Sequence, residues 1–291
     1  MRGGFFMKKS KIIITAIAGA IAISSALGGC SAGSTANETT QSTTSRPTNV
    51  AETTLEATGV RLGVEEYDST PIVWGPGSIT DHQRPTDPEK LQNQFSELNA
   101  QWLLENKKEI CLTFDEGYEN GYTAQILDTL KEKDVKAIFF CTYDYIKDNP
   151  ELVRRMIDEG HIVGNHSYSH YNMTEIDLET ASEEITLLHD YTCEMFQYEM
   201  TLYRFPEGAF SEQTVALASE LGYRSVFWSF AYADWEVDNP PDEEEAYNKI
   251  VSSTHNGEIM LLHAVSKTNA NILPRVIDEI RNQGYTFTTE L

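Results

Sequence analysis

Basic residues are scarce in this sequence. Its 291 residues include 22 Lys and Arg against 45 Asp and Glu, which gives a net charge of −23 at pH 7. A surface this acidic repels nucleic acid, so we expect no nucleic-acid partner. It also favours ligands that are recognised through hydroxyl and amide groups over ligands that are recognised through phosphate.

Long hydrophobic runs are also scarce, and the clearest one lies at the N-terminus. Residues 12–27 are mostly apolar and follow four basic residues with no acidic one. The run is too short and too rich in small residues for a transmembrane helix, so it indicates a secretion signal. It ends in LGGC, which resembles the lipobox of bacterial lipoproteins. This predicts a signal peptide over residues 1–29 and a lipid-modified Cys30; an ordinary signal peptide with a chance cysteine is the alternative.

Cysteine is rare as well, with four in the chain. Three remain after Cys30, and an odd number cannot all pair within one molecule, so no disulfide framework is implied. Cys111 and Cys141 lie in predicted strands and Cys193 in a predicted helix, where a thiol acts as a small apolar side chain.

The composition changes twice along the chain, and each change predicts a boundary. Residues 30–58 are rich in Ser and Thr with almost nothing apolar to bury, which is typical of a disordered tether. Residues 59–107 contain the turn-rich run WGPG and a predicted helix over residues 87–103. We expect them to form an extension packed on a domain that covers residues 108–291.

Strand-like and helix-like patterns alternate in that domain. Strands are predicted near residues 109–114, 135–142, 161–165, 201–204, 225–231, 258–263 and 284–288. Helices are predicted near residues 121–133, 149–159, 178–197, 211–221, 242–253 and 269–282. Gly160, Gly222 and Gly284 each stand between a helix and a strand, where a C-cap is expected. The alternation predicts an α/β fold, and seven parallel strands predict a distorted, incomplete (β/α) barrel.

Polar residues suited to hydrolysis follow five of the apolar runs. The loops that leave the C-terminal ends of parallel strands meet at one mouth, so residues far apart in sequence can share one site there. The run ends hold Asp115, Asn165 with His166, Arg204, Asp234 and His263.

Three of these run ends predict chemistry. His166 and His170 in HSYSH are four residues apart, which suits two ligands of one metal ion, although surface histidines give the same spacing. Asp115 and Glu116 in TFDEG place two carboxylates where one can take a proton from water and the other can approach a metal. A solvated acidic turn is the alternative. His263 is placed to protonate a leaving nitrogen, unless it is a core histidine.

Taken together, residues 108–291 resemble the polysaccharide deacetylases with a NodB homology domain. The supporting runs are LTFDEGYENGYT at 112–123, GNHSYSH at 164–170, FWSFAYADW at 227–235 and LLHAVSKTNA at 261–270. Within the family they resemble most the delta-lactam-biosynthetic de-N-acetylases, which serve muramic lactam formation in spore cortex. The resemblance implies a NodB-type barrel and a divalent metal ion, with zinc the first choice and magnesium, manganese or cobalt the others.

The resemblance also implies the catalytic roles. Asp115 would be the general base and His263 the general acid. Arg204, in the run RFPEG, would hold Asp115 ionised, and Asp234 would steady Arg204 or His263.

Ligand and substrate contacts follow from the same resemblance. The implied metal ligands are His166, His170 and Glu116. The implied substrate-binding residues are Trp235 in the groove wall, Leu262 against the acetyl methyl, and Pro206 with Gly208.

The sequence departs from the family pattern at three positions. Glu116 stands where the family usually has Asp and the lactam subgroup often has Asn, which puts metal affinity in doubt. Glu207 stands where a basic or aromatic residue is more usual. Ala231 replaces the first Asp of the DxxDW run, so His263 needs another partner if that acid normally orients it.

These residues predict a lipid-anchored, extracytoplasmic and monomeric enzyme of the bacterial cell membrane whose partner is the peptidoglycan glycan strand. It would hydrolyse the acetamide of N-acetylmuramic acid in peptide-stripped peptidoglycan and release acetate. One alternative is deacetylation of N-acetylglucosamine in peptidoglycan or another glycan. Another is a catalytically silent glycan-binding lipoprotein that has lost its metal through Glu116.

Overall fold

The computed structural model of the chain describes residues 63–77, 79 and 81–291. Cys30, the signal peptide, the whole predicted tether and its boundary at residues 58 and 59 therefore lie outside the described residues. The described strands are β1 (Ile72–Val73), β2 (Ala100–Gln101), β3 (Glu109–Glu116), β4 (Ile138–Cys141), β5 (Ile162–Asn165), β6 (Leu202–Tyr203), β7 (Ala209–Phe210), β8 (Arg224–Val226), β9 (Glu258–His263) and β10 (Thr286–Phe287).

The described α-helices alternate with these strands. They are α1 (Thr86–Gln94), α2 (Thr123–Glu132), α3 (Tyr143–Asp148), α4 (Pro150–Asp158), α5 (Leu178–Phe196), α6 (Glu212–Glu220), α7 (Glu243–Ser253) and α8 (Lys267–Asn282). Within the described part of the chain, none of these helices combines the length and the apolar composition that a membrane span requires.

Eight parallel strands surround the core. One edge of β3 pairs with β9 and the other with β10 and then β4, and the sheet continues through β5, β6 and β8 to β2. The gap between β8 and β9 is crossed, in the described residues, by an isolated bridge between Phe230 and Met260. The predicted fold class, a distorted and incomplete (β/α) barrel, is confirmed.

Strands β3, β4 and β9 form where the sequence has continuous apolar runs, because helices cover their outer face and side chains fill the inside. In β3, every residue from Ile110 to Glu116 is buried. Gly160, Gly222 and Gly284 have φ values of 81°, 87° and 87°, which lie in the left-handed region that a helix C-cap uses. The three predicted caps are confirmed.

The predicted helix over residues 87–103 is wrong in its second half. Helix α1 ends at Gln94, a 3-10 turn follows at Ser96–Leu98, and Asn99 then has a φ of 54°. A left-handed residue cannot continue a helix. In addition, Oε1 of Gln92 accepts hydrogen bonds from the backbone N–H groups of Trp102 and Leu103, at 2.9 and 2.8 Å, and so helps to fix the chain that follows β2.

The predicted strand over residues 225–231 is shorter in the structure. Strand β8 ends at Val226. There the side chain of Arg204 donates hydrogen bonds to the carbonyl oxygens of Val226, through Nε at 2.9 Å, and of Phe227, through Nη2 at 3.2 Å, so these groups are not free to pair with a neighbouring strand. Phe230 then pairs with Met260 of β9 in an isolated bridge, and the chain beyond it carries Asp234 and Trp235 towards the mouth of the barrel. Helix α3, of six residues, was not predicted.

The segment before the barrel contacts it at several points. Strand β1 pairs antiparallel with β7, and Nε1 of Trp74 donates to the carbonyl oxygen of Trp228 at 2.9 Å. Trp102 stacks face to face on Phe227, with ring centroids 4.2 Å apart. These contacts bring Trp74 to the edge of the mouth.

Candidate active site

Strands β3 and β9 bring the proposed base and acid together. The two strands pair in parallel, with Thr113 opposite Leu261 and Asp115 opposite His263. Side chains alternate between the two faces of a strand, so these four residues share the face that looks into the barrel. Asp115, Leu261 and His263 all line the cavity at its mouth.

Asp115 is paired with a buried guanidinium. Its Oδ1 accepts from Nη1 of Arg204 at 2.9 Å, and both side chains are almost inaccessible to solvent. Burial alone would raise the pKa of Asp115, but the Arg204 guanidinium, and then His166 and His263, hold it below its ordinary value. Asp115 is therefore an ionised carboxylate at the base of the groove, as a general base must be.

Arg204 cannot follow Asp115 if the carboxylate moves. Its Nε and Nη2 are held by the two carbonyl groups at the end of β8, and Nη1 also contacts Oγ1 of Thr113 at 2.8 Å. The guanidinium carbon lies 4.1 Å from the centroid of the Phe140 ring. These contacts fix the position of Asp115 as well as its charge.

The two histidines of HSYSH lie on a tight turn. Ser167 and His170 have φ values of 66° and 57°, and Oγ of Ser167 accepts from the backbone N–H of His170 at 2.9 Å. The turn folds back so that the His166 and His170 rings meet edge to face, with centroids 4.9 Å apart. The two histidines therefore lie on a turn and not on one face of a helix.

His166 is oriented towards Asp115. Its Nδ1 lies 2.9 Å from the carbonyl oxygen of Arg204, to which it donates, so Nε2 is the unprotonated nitrogen. That Nε2 lies 3.5 Å from Oδ2 of Asp115. Burial lowers the pKa of His166 to about 4, so the ring is neutral near pH 7. A neutral imidazole with a fixed tautomer is the state that binds a metal ion.

Glu116, the third predicted metal ligand, does not lie with the two histidines in the structure. It follows Asp115 in β3 and therefore points to the opposite face, where it is completely buried near Cys141 and Tyr145. Neither carboxylate oxygen has a hydrogen-bond partner among the described residues. Burial, and then the Glu119 and Asp115 carboxylates, raise the pKa of Glu116 well above its ordinary value.

The donor set for a metal ion is therefore smaller than predicted. Among the described residues, no group of three or more His, Cys, Asp or Glu side chains is arranged to hold a metal ion. His166 and His170, one of them held with Nε2 free of its proton, fit a divalent ion that takes its remaining ligands from water or substrate.

His263 has a carboxylate partner of its own. Its Nδ1 lies 2.7 Å from Oδ1 of Asp234, and its backbone N–H donates to Oδ2 at 2.8 Å. Burial opposes the charged ring, but the Asp234 carboxylate outweighs it and raises the pKa of His263. Of the two partners suggested for Asp234, the structure places it on His263 and not on Arg204, so the loss of an acid at Ala231 leaves His263 oriented.

A groove with two lobes surrounds these side chains. Both lobes are lined by Asp115, His166, His170, Trp235 and His263. The first lobe, of about 480 Å³, is completed by Gly117, Tyr118, Thr142, Asp144, Tyr168, Ser169 and Val265. The second lobe, of about 570 Å³, is completed by Trp74, Gly75, Pro76, Glu207, Gly208, Trp228, Ala231, Tyr232, Ala233 and Leu261.

Two of the four residues predicted to bind substrate line this groove. Trp235 is 52% exposed with its ring centroid 5.5 Å from that of His263, and Gly208 lines the second lobe. Leu262 does not, because it points to the opposite face of β9 from His263; Leu261 occupies the lining position instead. Pro206 is buried at the start of the 3-10 turn Pro206–Gly208 and is also absent from the groove lining.

Sequence reasoning missed several groove residues. Trp74 lies in the WGPG run, which was recognised as a turn but not as part of the site, and Tyr118 follows the TFDEG motif directly. An aromatic residue beside a motif is a usable signal for a sugar-binding surface. Tyr232, an aromatic residue inside the FWSFAYADW run, carries the same signal and lines the second lobe. Asn269, which contacts the carbonyl oxygen of His263, carries no such signal.

The comparisons with known proteins agree with this geometry. The family model described as "Polysaccharide deacetylase" matches residues 104–226. The chain is 47% identical over 75% of its length to an uncharacterised 30.6 kDa protein of Geobacillus stearothermophilus, of which it covers 83%. The chain belongs to the polysaccharide deacetylase family. This deacetylase is also 40% identical to the peptidoglycan-N-acetylmuramic acid deacetylase PdaA of Bacillus subtilis, over 77% of its own length and 86% of that protein.

The fold of the deacetylase is similar to that of a solved relative. The structure of PdaA from Bacillus subtilis, a family 4 carbohydrate esterase, matches with a TM-score of 0.73 and 38% identity over 76% of this chain and 95% of that one. Both matches extend well beyond residues 104–226, so they take in more of the chain than the family model does.

Proposed function

We propose that this deacetylase hydrolyses the acetamide of N-acetylmuramic acid in peptide-stripped peptidoglycan, with the help of a divalent metal ion. The observation that carries the proposal is the pairing of Asp115 with His263 across the mouth of the barrel. One group is held ionised by Arg204 and the other has its pKa raised by Asp234. The similarity to PdaA, which is named for N-acetylmuramic acid, supports this choice of substrate.

The residues divide the reaction between them. A divalent ion bound by His166 and His170 would supply a Lewis acid for the acetamide carbonyl. Asp115 takes a proton from the attacking water, and Arg204 keeps the carboxylate in place. His263 gives the proton on Nε2 to the sugar nitrogen as the carbon–nitrogen bond breaks. One water and one acetamide thus yield acetate and an amino sugar.

A second candidate substrate, N-acetylglucosamine, is favoured by the charge of the groove. Asp144 lines the first lobe and Glu207 the second, and no Lys or Arg is found among the lining residues that the structure describes. The free lactyl carboxylate of a peptide-stripped muramic acid would be repelled by these acids, whereas the uncharged N-acetylglucosamine would not.

Mass spectrometry of digested glycan decides between the two. We expect acetate release from peptide-stripped peptidoglycan well above that from intact peptidoglycan or chitin oligomers, with acetyl lost from muramic acid and a further water lost where a lactam closes. Asp115→Asn, which keeps the shape of the base but not its charge, is the inactive control. Acetyl lost from glucosamine alone would transfer the function to the second candidate.

A further inference from the structure

A buried chain of hydrogen bonds lies behind the catalytic acid. The hydroxyl of Tyr232 contacts Oδ1 of Asn269. Nδ2 of Asn269 lies 2.5 Å from Oδ2 of Asp234 and 3.1 Å from the carbonyl oxygen of His263. Asp234 then meets the ring of His263. Asn269 and Asp234 are each 1% exposed, so solvent does not weaken these contacts.

The chemistry of these groups permits one direction of donation. The Asp234 carboxylate and the His263 carbonyl only accept, so the amide end of Asn269 that faces them is the NH₂ end. Oδ1 of Asn269 therefore faces Tyr232, and the hydroxyl must donate to it. Burial raises the pKa of Tyr232, so the hydroxyl keeps its proton.

The same hydrogen bonds determine which nitrogen of His263 is free to react. Oδ2 of Asp234 is occupied by Asn269 and by the backbone N–H of His263, which leaves Oδ1 for Nδ1–H of the ring. The other ring nitrogen, Nε2, is the one left to exchange a proton with substrate.

We propose that Asn269, oriented by Tyr232, is a positioning residue that holds Asp234 so that His263 keeps a proton on Nδ1 and presents Nε2 to the leaving nitrogen. This role rests on the proposed function only in assigning His263 as the acid. It also accounts for an oriented His263 in a chain that has Ala231 in place of an acid.

Three charged groups affect the pKa of His263. Asp234 faces it from the loop after β8, Asp115 from β3, and Arg204 from behind Asp115. Removing the amide of Asn269 frees Asp234 to rotate away from Nδ1. Burial, which disfavours the charged ring, then dominates, and the pKa of His263 falls.

The variant that tests the role is Asn269→Ala, with Asn271→Ala as its matched control. Asn271 lies two residues further along α8, is exposed, and donates to Glu243. We expect kcat of Asn269→Ala to fall roughly tenfold, the scale of a lost hydrogen bond to a charged group, with KM nearly unchanged because Asn269 does not line the groove. The alkaline limb of the pH profile should move to lower pH. The control should match the parent protein.

Nitrogen-15 NMR of the His263 ring gives a readout that does not depend on turnover. The signals are assigned by comparison with His263→Gln. We expect the Nδ1–H form in the parent, and a lower pKa with mixed tautomers in Asn269→Ala. Tyr232→Phe keeps the ring that lines the groove and should produce a smaller shift in the same direction, which covers the case in which Asn269→Ala fails to fold.

The outcomes separate this role from the proposed function. An unchanged tautomer and pKa of His263 in whichever of the two variants folds would overturn the positioning role. A parent protein that shows the expected NMR behaviour but releases no acetate from any glycan would support the positioning of His263 and overturn the proposed function.

Discussion

Asp115 and Glu116 are neighbours in sequence with opposite environments. Asp115 meets a guanidinium and two imidazoles, whereas Glu116 is buried on the far face of β3 without a hydrogen-bond partner among the described residues. Burial holds the pKa of Glu116 above its ordinary value, so its neutral form is the one compatible with the fold.

Glu116→Met should therefore stabilise the protein at neutral pH. Between the unfolded and the folded pKa of Glu116 the native state binds more protons, so this residue lowers stability as the pH rises through that window. The variant loses that dependence, and we expect it to gain about 1–3 kcal/mol in free energy of unfolding at pH 7.5 and little at pH 4. Urea denaturation across this pH range measures the difference.

Glu132→Met, at the exposed end of α2, is the matched control and should change stability little. Zinc titration gives a second readout, since Glu116→Met should bind the ion like the parent while His170→Ala binds it less tightly. A loss of stability at pH 7.5, or of zinc affinity, in Glu116→Met would show that the carboxylate has a partner.

The residue-level prediction from sequence succeeded where a side chain ends a strand and failed where it depended on strand parity. The positions of Asp115, His166 and His263 at one mouth follow from the apolar runs that precede them. Glu116 and Leu262 were predicted to face the site, but each lies next to a residue that does and points to the opposite face of its strand. A motif does not state which of two adjacent side chains faces inwards. Asn269 could not be found, since its contacts depend on how α8 packs.

At the scale of elements, the turn between β6 and β7 shapes the second lobe. Gly208 has a φ of 66°, and a Cβ there would lie 2.8 Å from the Trp228 ring and 3.0 Å from the carbonyl oxygen of Trp74. No side chain fits this position without moving the wall that Trp74 forms.

Gly208→Ala should therefore cost about 2–4 kcal/mol in stability and raise KM, because backbone strain and overpacking add. Gly222→Ala is the matched control: its φ is 87° but nothing lies within 4 Å of the added Cβ. It should cost about 1–2 kcal/mol and leave KM unchanged. Thermal unfolding and steady-state kinetics test both, and equal effects of the two variants would contradict the packing argument.

Elements were predictable where a periodic pattern runs uninterrupted. Six of the seven helices and most strands of residues 108–291 lie within a few residues of their predicted bounds because Gly caps and apolar runs mark their ends. The short helix α3 and the two-residue strand β7 were missed. The helix predicted over residues 87–103 failed because Asn99 adopts a left-handed backbone and Gln92 bonds to the chain beyond it. The spacing of apolar residues carries no information about a single left-handed residue or about a side-chain hydrogen bond to the backbone.

At the scale of the whole molecule, location is a separate question from fold. The lipobox-like LGGC run predicts that Cys30 carries the lipid and residues 31–58 supply reach. Cys30→Ser should move the protein from the membrane fraction to the medium or the wall without a change in specific activity. Fractionation of cells followed by detection of the protein measures this, and Ala32→Ser, two residues further on, serves as the control. Membrane retention of Cys30→Ser would refute the lipid anchor.

The direct pairing of Asp115 with His263 on β3 and β9 separates the catalytic groups, which lie on barrel strands, from the residues that contact substrate, which lie mostly outside them. Adjacent strands in a sheet are about 4.8 Å apart, so the ladder itself sets the gap between the two groups that move protons. The walls of the groove, in contrast, come from turns and from the segment before the barrel. Selection can therefore exchange the walls to suit a new glycan while the spacing that breaks the bond stays constant.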